Sequence, residues 1–348
     1  MRFLCKLFLI SLLLCGSIWA DDPENLISYP HEGKIMGFRG LDTTATSPSL
    51  QDGRASDLLN VKLSIAFDLR KRYGYDTIND RTLDDPDTNV AAVTGIFDSL
   101  YSSGTSWTYV FVGNRLKYDN AGTWTTVTGS GGTITTGQDN QWQCMMALDS
   151  AVCTNDVDAP LKISSTPSRS SLSFSSTGVT RVKAMIWFRN YLIAGNTLES
   201  STERPTRFRW SDVGTIETWS TNSFTDISTF SGDEIIGFAE LYGDLYIFLT
   251  KSIWKASLVG GNDTFIFSKV VDGIGAIARD SIQVINLPNN SQAVAFLEQN
   301  KRVFLFGGAS VVDIGGIIQR TLDGLNESRL QYAVATFDGG DYFLSVSK

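Results

Sequence analysis

Leu241-Tyr242-Gly243-Asp244-Leu245-Tyr246-Ile247-Phe248-Leu249 decides the fold. A Gly-Asp turn signal feeds a short apolar run rich in aromatic and β-branched residues, which reads as a strand buried on both faces. The same figure recurs at residues 109–118, 191–196, 293–306 and 341–346, and in weaker form at 144–153. The anchors Tyr109, Ala151, Tyr191, Leu245, Val294 and Tyr342 fall about 40 to 55 residues apart, the interval of a four-stranded propeller blade rather than of a helical solenoid. The reading is therefore all-β: a β-propeller of about six or more four-stranded blades. Short strands alone also fit a two-sheet sandwich or two stacked β domains, and only the regular spacing favours radial repetition.

Working outward, residues 90–348 form the repeat region, and its last copy breaks off in mid-pattern. Residues 21–89 form an N-terminal arm with an entry hairpin, drawn from Asn60-Val61-Lys62-Leu63-Ser64-Ile65 and Asp68-Leu69-Arg70-Lys71-Arg72, whose apolar face is expected on the first blade. That arm is expected to give an entry strand and to close the last blade. After the first 20 residues no stretch has a convincing helical period.

Residues 1–20 read as a secretory leader. Arg2 and Lys6 supply positive charge, Leu7-Phe8-Leu9-Ile10-Ser11-Leu12-Leu13-Leu14-Cys15 is the apolar core, and Ala20 precedes Asp21-Asp22-Pro23. A retained anchor, an acylated Cys15 or a start at Met36 are the alternatives. Removal of the leader leaves Cys144 and Cys153 as the only cysteines, free to pair in an oxidising compartment or to remain as two buried thiols.

The chain has 348 residues and a formal net charge of −8, which becomes about −10 without Arg2 and Lys6. That balance argues against a nucleic-acid-wrapping surface, so no specific nucleic-acid binding is expected. Arg70-Lys71-Arg72 and Arg204-Pro205-Thr206-Arg207-Phe208-Arg209 are the only basic clusters, and both read as solvated strand faces. The single histidine, His31, precedes the repeats, which excludes histidine triads and multi-histidine metal sites from the β region.

No other motif carries chemistry. Gly129, Gly131, Gly132, Gly307 and Gly308 lack the lysine and helix of a phosphate loop and read as turns. Asp84-Asp85-Pro86-Asp87 and Asn155-Asp156-Val157-Asp158 lack the glycine and distal glutamate of a calcium hand. Asp233, Glu234, Glu240 and Asp244 are the acids at blade edges on which a hydrolase reading would draw. Trp107, Trp124, Trp142, Trp187, Trp210, Trp219 and Trp254 fit packing between blades, with a sugar-stacking face as the other option. Asn262-Asp263-Thr264, Asn289-Asn290-Ser291 and Asn326-Glu327-Ser328 match the glycosylation triplet. No catalytic, cofactor-binding or metal residue is assigned, and no enzyme activity or cofactor is expected.

One stretch carries a resemblance. Gly40-Leu41-Asp42-Thr43, then Asp52-Gly53-Arg54-Ala55-Ser56-Asp57-Leu58-Leu59-Asn60-Val61, then Leu69-Arg70-Lys71-Arg72-Tyr73-Gly74-Tyr75, resembles the opening of β-propeller structural proteins of tailed phages and prophages. The sequence departs from that pattern at Phe67-Asp68, where a glycine is usual, and at Tyr73, where a proline is frequent. The resemblance implies a non-enzymatic tail-tube, nozzle or head-to-tail connector component in the virion, with other structural proteins as partners and a ring of subunits. A virion component assembled in the cytoplasm carries no leader, which sets this reading against an exported propeller, periplasmic or extracellular, that binds carbohydrate or an envelope protein.

Overall fold

The computed structural model describes residues 40–41, 54–55, 61–63, 69–71, 92–229, 232–260, 264–287, 291–338 and 341–347. The leader, His31, the acids at 84–87 and the first two glycosylation triplets fall outside these residues or reach beyond them.

Five consecutive four-stranded antiparallel sheets occupy most of the chain, each a simple meander. The first holds β5 (Val93–Leu100), β6 (Ser106–Val112), β7 (Arg115–Asn120) and β8 (Thr123–Thr126). The second holds β9 (Gln143–Ala147), β10 (Ser150–Thr154), β11 (Leu161–Ile163) and β12 (Arg169–Ser171). The third holds β13 (Val179–Phe188), β14 (Tyr191–Glu199), β15 (Thr202–Trp210) and β16 (Phe224–Asp226). The fourth holds β17 (Ile235–Leu241), β18 (Asp244–Leu249), β19 (Ser252–Leu258) and β20 (Phe265–Asp272). The fifth holds β21 (Gln283–Asn286), β22 (Gln292–Leu297), β23 (Val303–Phe306) and β24 (Val311–Asp313). A sixth sheet has two strands among the described residues, β25 (Val334–Asp338) and β26 (Asp341–Ser345). In the N-terminal arm, β1 (Gly40–Leu41) pairs with β2 (Arg54–Ala55) in parallel, and β3 (Val61–Leu63) pairs with β4 (Leu69–Lys71) as the expected antiparallel hairpin. Its packing on the first blade lies outside the described residues.

The first strand of each sheet packs on the first strand of the next: β5 on β9, β9 on β13, β13 on β17, β17 on β21 and β21 on β25. Sheets that touch by their first strands in strict succession radiate from an axis, so the molecule is a β-propeller and not a sandwich. Each neighbouring pair encloses its own core. Tyr109, Phe111 and Leu116 meet Cys153 and Leu161 between the first and second sheets. Val152 meets Val182, Leu192 and Trp219 between the second and third. Phe208 meets Leu245 and Ile247 between the third and fourth, and Phe248 meets Phe296 and Phe306 between the fourth and fifth.

The second strand of a blade thus sends successive side chains into two different cores. Leu245, Ile247 and Leu249 point one way while Tyr246 and Phe248 point the other. Burial on both faces removes the polar alternation of a one-sided sheet and leaves a continuous apolar run. Every one of the six sequence anchors lies on the second strand of its sheet.

The turns between first and second strands stitch neighbouring blades together. Ser102 N donates to Asp149 Oδ1 at 2.7 Å, Arg189 Nη2 donates to Gly243 O at 3.2 Å, and Gln292 N donates to Tyr242 Oη at 2.7 Å. At the other end, Asp233 caps the entry to the fourth sheet, accepting from Lys251 N at 3.0 Å and Ser252 Oγ at 2.8 Å. Gly275 passes so close that an added Cβ would sit 2.0 Å from Leu249 O, which demands glycine there.

One open alternative is resolved and two expectations are corrected. Cys144 and Cys153 stand opposite one another in the β9–β10 register, with Cα atoms 4.1 Å apart, and form a disulfide. The helix-free reading missed a short helix at Gln319–Asp323 and 3-10 turns at Arg279–Ser281, Gly316–Ile318 and Glu327–Tyr332, all too brief to show a period. The basic run at 204–209 is not a solvated face, because Arg207 and Arg209 are buried.

Candidate interaction sites

Arg207 and Arg209 are buried because β14 and β16 bring carboxylates to either side of β15. Glu199 Oε2 accepts from Arg207 Nη1 at 2.7 Å and from Arg209 Nη2 at 3.0 Å, and Asp226 takes a bidentate pair from Arg207 at 2.7 Å each. The Phe224 ring lies 3.8 Å from the Arg207 guanidinium carbon. Burial pushes the Glu199 carboxyl up, but the hydrogen bonds from Arg209, Thr197 and Arg207 prevail and hold it below the ordinary range. Arg207 likewise holds Asp226 down, against the opposing effect of burial. Two cations facing two anions, all satisfied within one blade, form a structural brace.

A second polar cluster lies where the connecting segments converge on the axis. Arg279, at the entry to the fifth sheet, donates from Nη1 to Lys183 O at 2.9 Å and from Nη2 to Gln141 O at 2.7 Å, reaching the third blade and the entry to the second. Its Nε and Nη2 also bind Asp280, so the guanidinium is satisfied. Lys183 Nζ meets Glu234 Oε1 at 3.2 Å, and Glu234 Oε2 accepts from Asn196 at 3.0 Å. Gln141 Nε2 donates to Tyr332 O at 2.8 Å. Around these groups lies a cavity of about 170 Å³, lined by Asp139, Gln141, Asp156, Lys183, Arg279 and Tyr332 among others. Burial pushes the Asp156 carboxyl up, opposed by Lys183, Arg181 and Arg279, and Arg181 Nη1 contacts it at 2.7 Å.

Within the described residues, most of the remaining acids singled out in the sequence are also engaged. Asn155 Oδ1 accepts from Val157 N and Asp158 N, and Asp158 holds Thr135, so that segment is a closed turn. Asp244 pairs with Lys255 at 2.6 Å, and Glu240 is an exposed residue opposite Leu245 in the sheet register. A cavity of about 420 Å³ between the β22–β23 turn and the 3-10 turn at Glu327–Tyr332 is crossed by Lys301, which contacts Glu327 at 3.1 Å. None of the seven tryptophans within the described residues is exposed, and Trp107 Nε1 is spent on Ser165 O at 2.8 Å. Asn326 Oδ1 accepts from Ser328 N and so caps a 3-10 turn.

The seam between the sixth and first sheets differs from the other junctions. β25 and β5 do not pack on one another as the other first strands do. Ile96 and Leu100 on β5 are each 67% exposed, and Val334 on β25 is 41% exposed. Sequence reading did not single out β5 or β25. The one available signal was the alternation Ile96-Phe97-Asp98-Ser99-Leu100, in which apolar residues fall on both faces.

No family model matches the chain, and no curated protein matches its sequence. Among solved structures, the chain is similar to the Polycomb Repressive Complex 2 of Chaetomium thermophilum in a humanised mutant bound to an inhibitor, at 11% identity and TM-score 0.39, covering 64% of this chain and 57% of that one. It is similar to YCF48 from Cyanidioschyzon merolae at 10% identity and TM-score 0.36, covering 74% and 93%. It is also similar to BamB from Moraxella catarrhalis at 9% identity and TM-score 0.39, covering 73% and 80%. The chain thus spans little more than half the length of the Polycomb chain it matches, and the propeller assignment stands on its own sheets.

Proposed function

We propose that the chain is a non-enzymatic protein-interaction propeller that is exported and works in an oxidising compartment. The observation that carries the interaction reading is the junction of the first and sixth sheets, where Ile96, Leu100 and Val334 on two inner strands stand in solvent. The ion pairs at the axis and in the third blade support it from the other side, since their donors and acceptors are already spent on one another. Export is supported by the leader-like residues 1–20 and by the Cys144–Cys153 disulfide, which persists in secreted and periplasmic proteins and is rare in the cytosol.

The resemblance of residues 37–75 to phage propellers favours a second reading, a structural component of a virion assembled from several proteins. Intact mass after fractionation of the native source separates the two. A chain beginning at Asp21, oxidised and found in exported material with a bound protein, supports export. A chain beginning at Met36 with reduced cysteines in assembled particles supports the virion component. A chain recovered in neither fraction with any bound protein removes the interaction reading.

A further inference from the structure

The connection from the first blade to β9 borders the axial cavity without an apolar hold of its own. Ile134 and Trp142 are buried in the core between the first and second sheets and fix its two ends. Between them runs Thr135-Thr136-Gly137-Gln138-Asp139-Asn140-Gln141, which contains no hydrophobic residue and exposes its first four positions. Thr135 is held at the base by Asp158, to which its N donates at 2.9 Å and its Oγ1 at 2.6 Å. Asn140 ties the loop to itself, donating from N to Gly137 O at 3.1 Å and from Nδ2 to Thr135 O at 3.1 Å and Thr136 O at 3.2 Å. The loop is therefore braced internally and can move as a unit about its ends.

Its far contacts are polar. Arg329, in the 3-10 turn at Glu327–Tyr332, donates to Asp139 from Nη1 at 3.1 Å and from Nη2 at 2.5 Å. Gln141 Nε2 donates to Tyr332 O at 2.8 Å, and Gln141 O accepts from Arg279 Nη2 at 2.7 Å. The 3-10 turn is anchored by Leu330 and Ala333, which are buried in one core with Leu297 and Val303 of the fifth blade. One side of the latch is thus fixed by packing and the other is not. The Arg329 and Asp139 side chains are 30% and 35% exposed, so water competes for the pair and salt screens it. A segment with few buried apolar contacts and an exposed backbone opens at low cost.

What the loop borders is charged. Asp139 and Gln141 line the cavity of about 170 Å³ together with Asp156, Lys183, Arg279 and Tyr332. We propose that residues 135–141 are a lid over the axial cavity, closed in this structure and latched to the sixth-blade entry through Asp139–Arg329 and Gln141–Tyr332. Release of the latch opens the cavity to solutes at this end of the axis and uncovers Lys183. The lid works whether or not the propeller binds a partner.

Two readouts on the full chain test it. A nitroxide carried by a non-natural residue at position 138, which is exposed and outside the latch, reports the motion of the loop. Acetylation by a water-soluble active ester, followed by mass spectrometry, reports access to Lys183, whose side chain is 21% exposed, with the exposed Lys251 as internal reference. In the parent at low salt the nitroxide is expected to be restrained and Lys183 to react slowly. Arg329→Met should mobilise the nitroxide and speed acetylation of Lys183 about fivefold relative to Lys251. Molar salt should do the same to the parent and add little to the variant. Arg320→Met removes an exposed positive charge outside the latch and should change neither readout.

A nitroxide already free in the parent, or one unmoved by Arg329→Met and by salt, overturns the latch. A mobilised nitroxide with unchanged Lys183 reactivity overturns the lid, because the loop would then cover nothing. An equal response to Arg320→Met would trace the effect to net charge and overturn both. Circular dichroism of each variant separates an opened lid from a lost fold, and the salt series on the parent needs no substitution.

Discussion

Arg279 Nη1 donates to the main-chain oxygen of Lys183 at 2.9 Å, tying the entry of the fifth blade to the innermost strand of the third. The same guanidinium binds Gln141 O, so one side chain holds three blades at the axis. Arg279→Met removes both bonds and leaves two carbonyls short of a donor, at a cost of about 2–4 kcal/mol. Arg279→Lys should recover little of it, since a single ammonium does not reproduce the planar fork. Urea denaturation of the two variants checks this, and a lysine variant as stable as the parent would contradict the axial role.

Glu199 and Asp226 predict the shape of the acid limb. Both carboxyls are held below their ordinary values in the folded chain. For a depressed acid, the stabilisation is complete above the unfolded-state value, near 4, and is lost as pH falls through the lower folded value. Stability should therefore decline below about pH 4, and Glu199→Gln should flatten that decline while lowering stability at pH 7 by roughly 3 kcal/mol. Denaturation midpoints between pH 2 and 7 test it. An unchanged acid limb in the variant would show that the brace contributes nothing.

The disulfide closes a short loop between adjacent strands. Loss of Cys144–Cys153 through paired alanine substitution should cost about 2–3 kcal/mol, because little chain entropy is released by so short a loop and a small cavity is added. A reductant should lower the melting temperature of the parent and leave that of the double variant unchanged. A reductant effect on both would place the sensitivity elsewhere.

Leu148 occupies the β9–β10 turn at φ 53°, a left-handed conformation that penalises a branched side chain, and its side chain is 52% exposed. Leu148→Gly should therefore raise stability by roughly 0.5–1 kcal/mol. A loss of stability would mean that Leu148 makes a contact worth more than its strain.

The fold was legible where one residue pattern had one physical cause. A second strand flanked by two cores needs apolar residues at every position, so Leu245-Tyr246-Ile247-Phe248-Leu249 and its counterparts stand out. First strands were harder to see, because β5 mixes buried and exposed apolar residues. The short 3-10 turns were invisible for want of a period, and the Arg207–Glu199 pairing was invisible because its partners come from different strands.

The sequence by itself determined the all-β class, the radial repeat and its six anchors, because alternation and spacing are local properties that burial imposes on each strand. Only the tertiary structure decided that Cys144 meets Cys153, that two arginines of a basic run are buried against carboxylates, and that the first and sixth sheets leave a seam. Each of these depends on which strand lies beside which and in what register. That is a matter of contact across space, which no run of neighbours along the chain encodes.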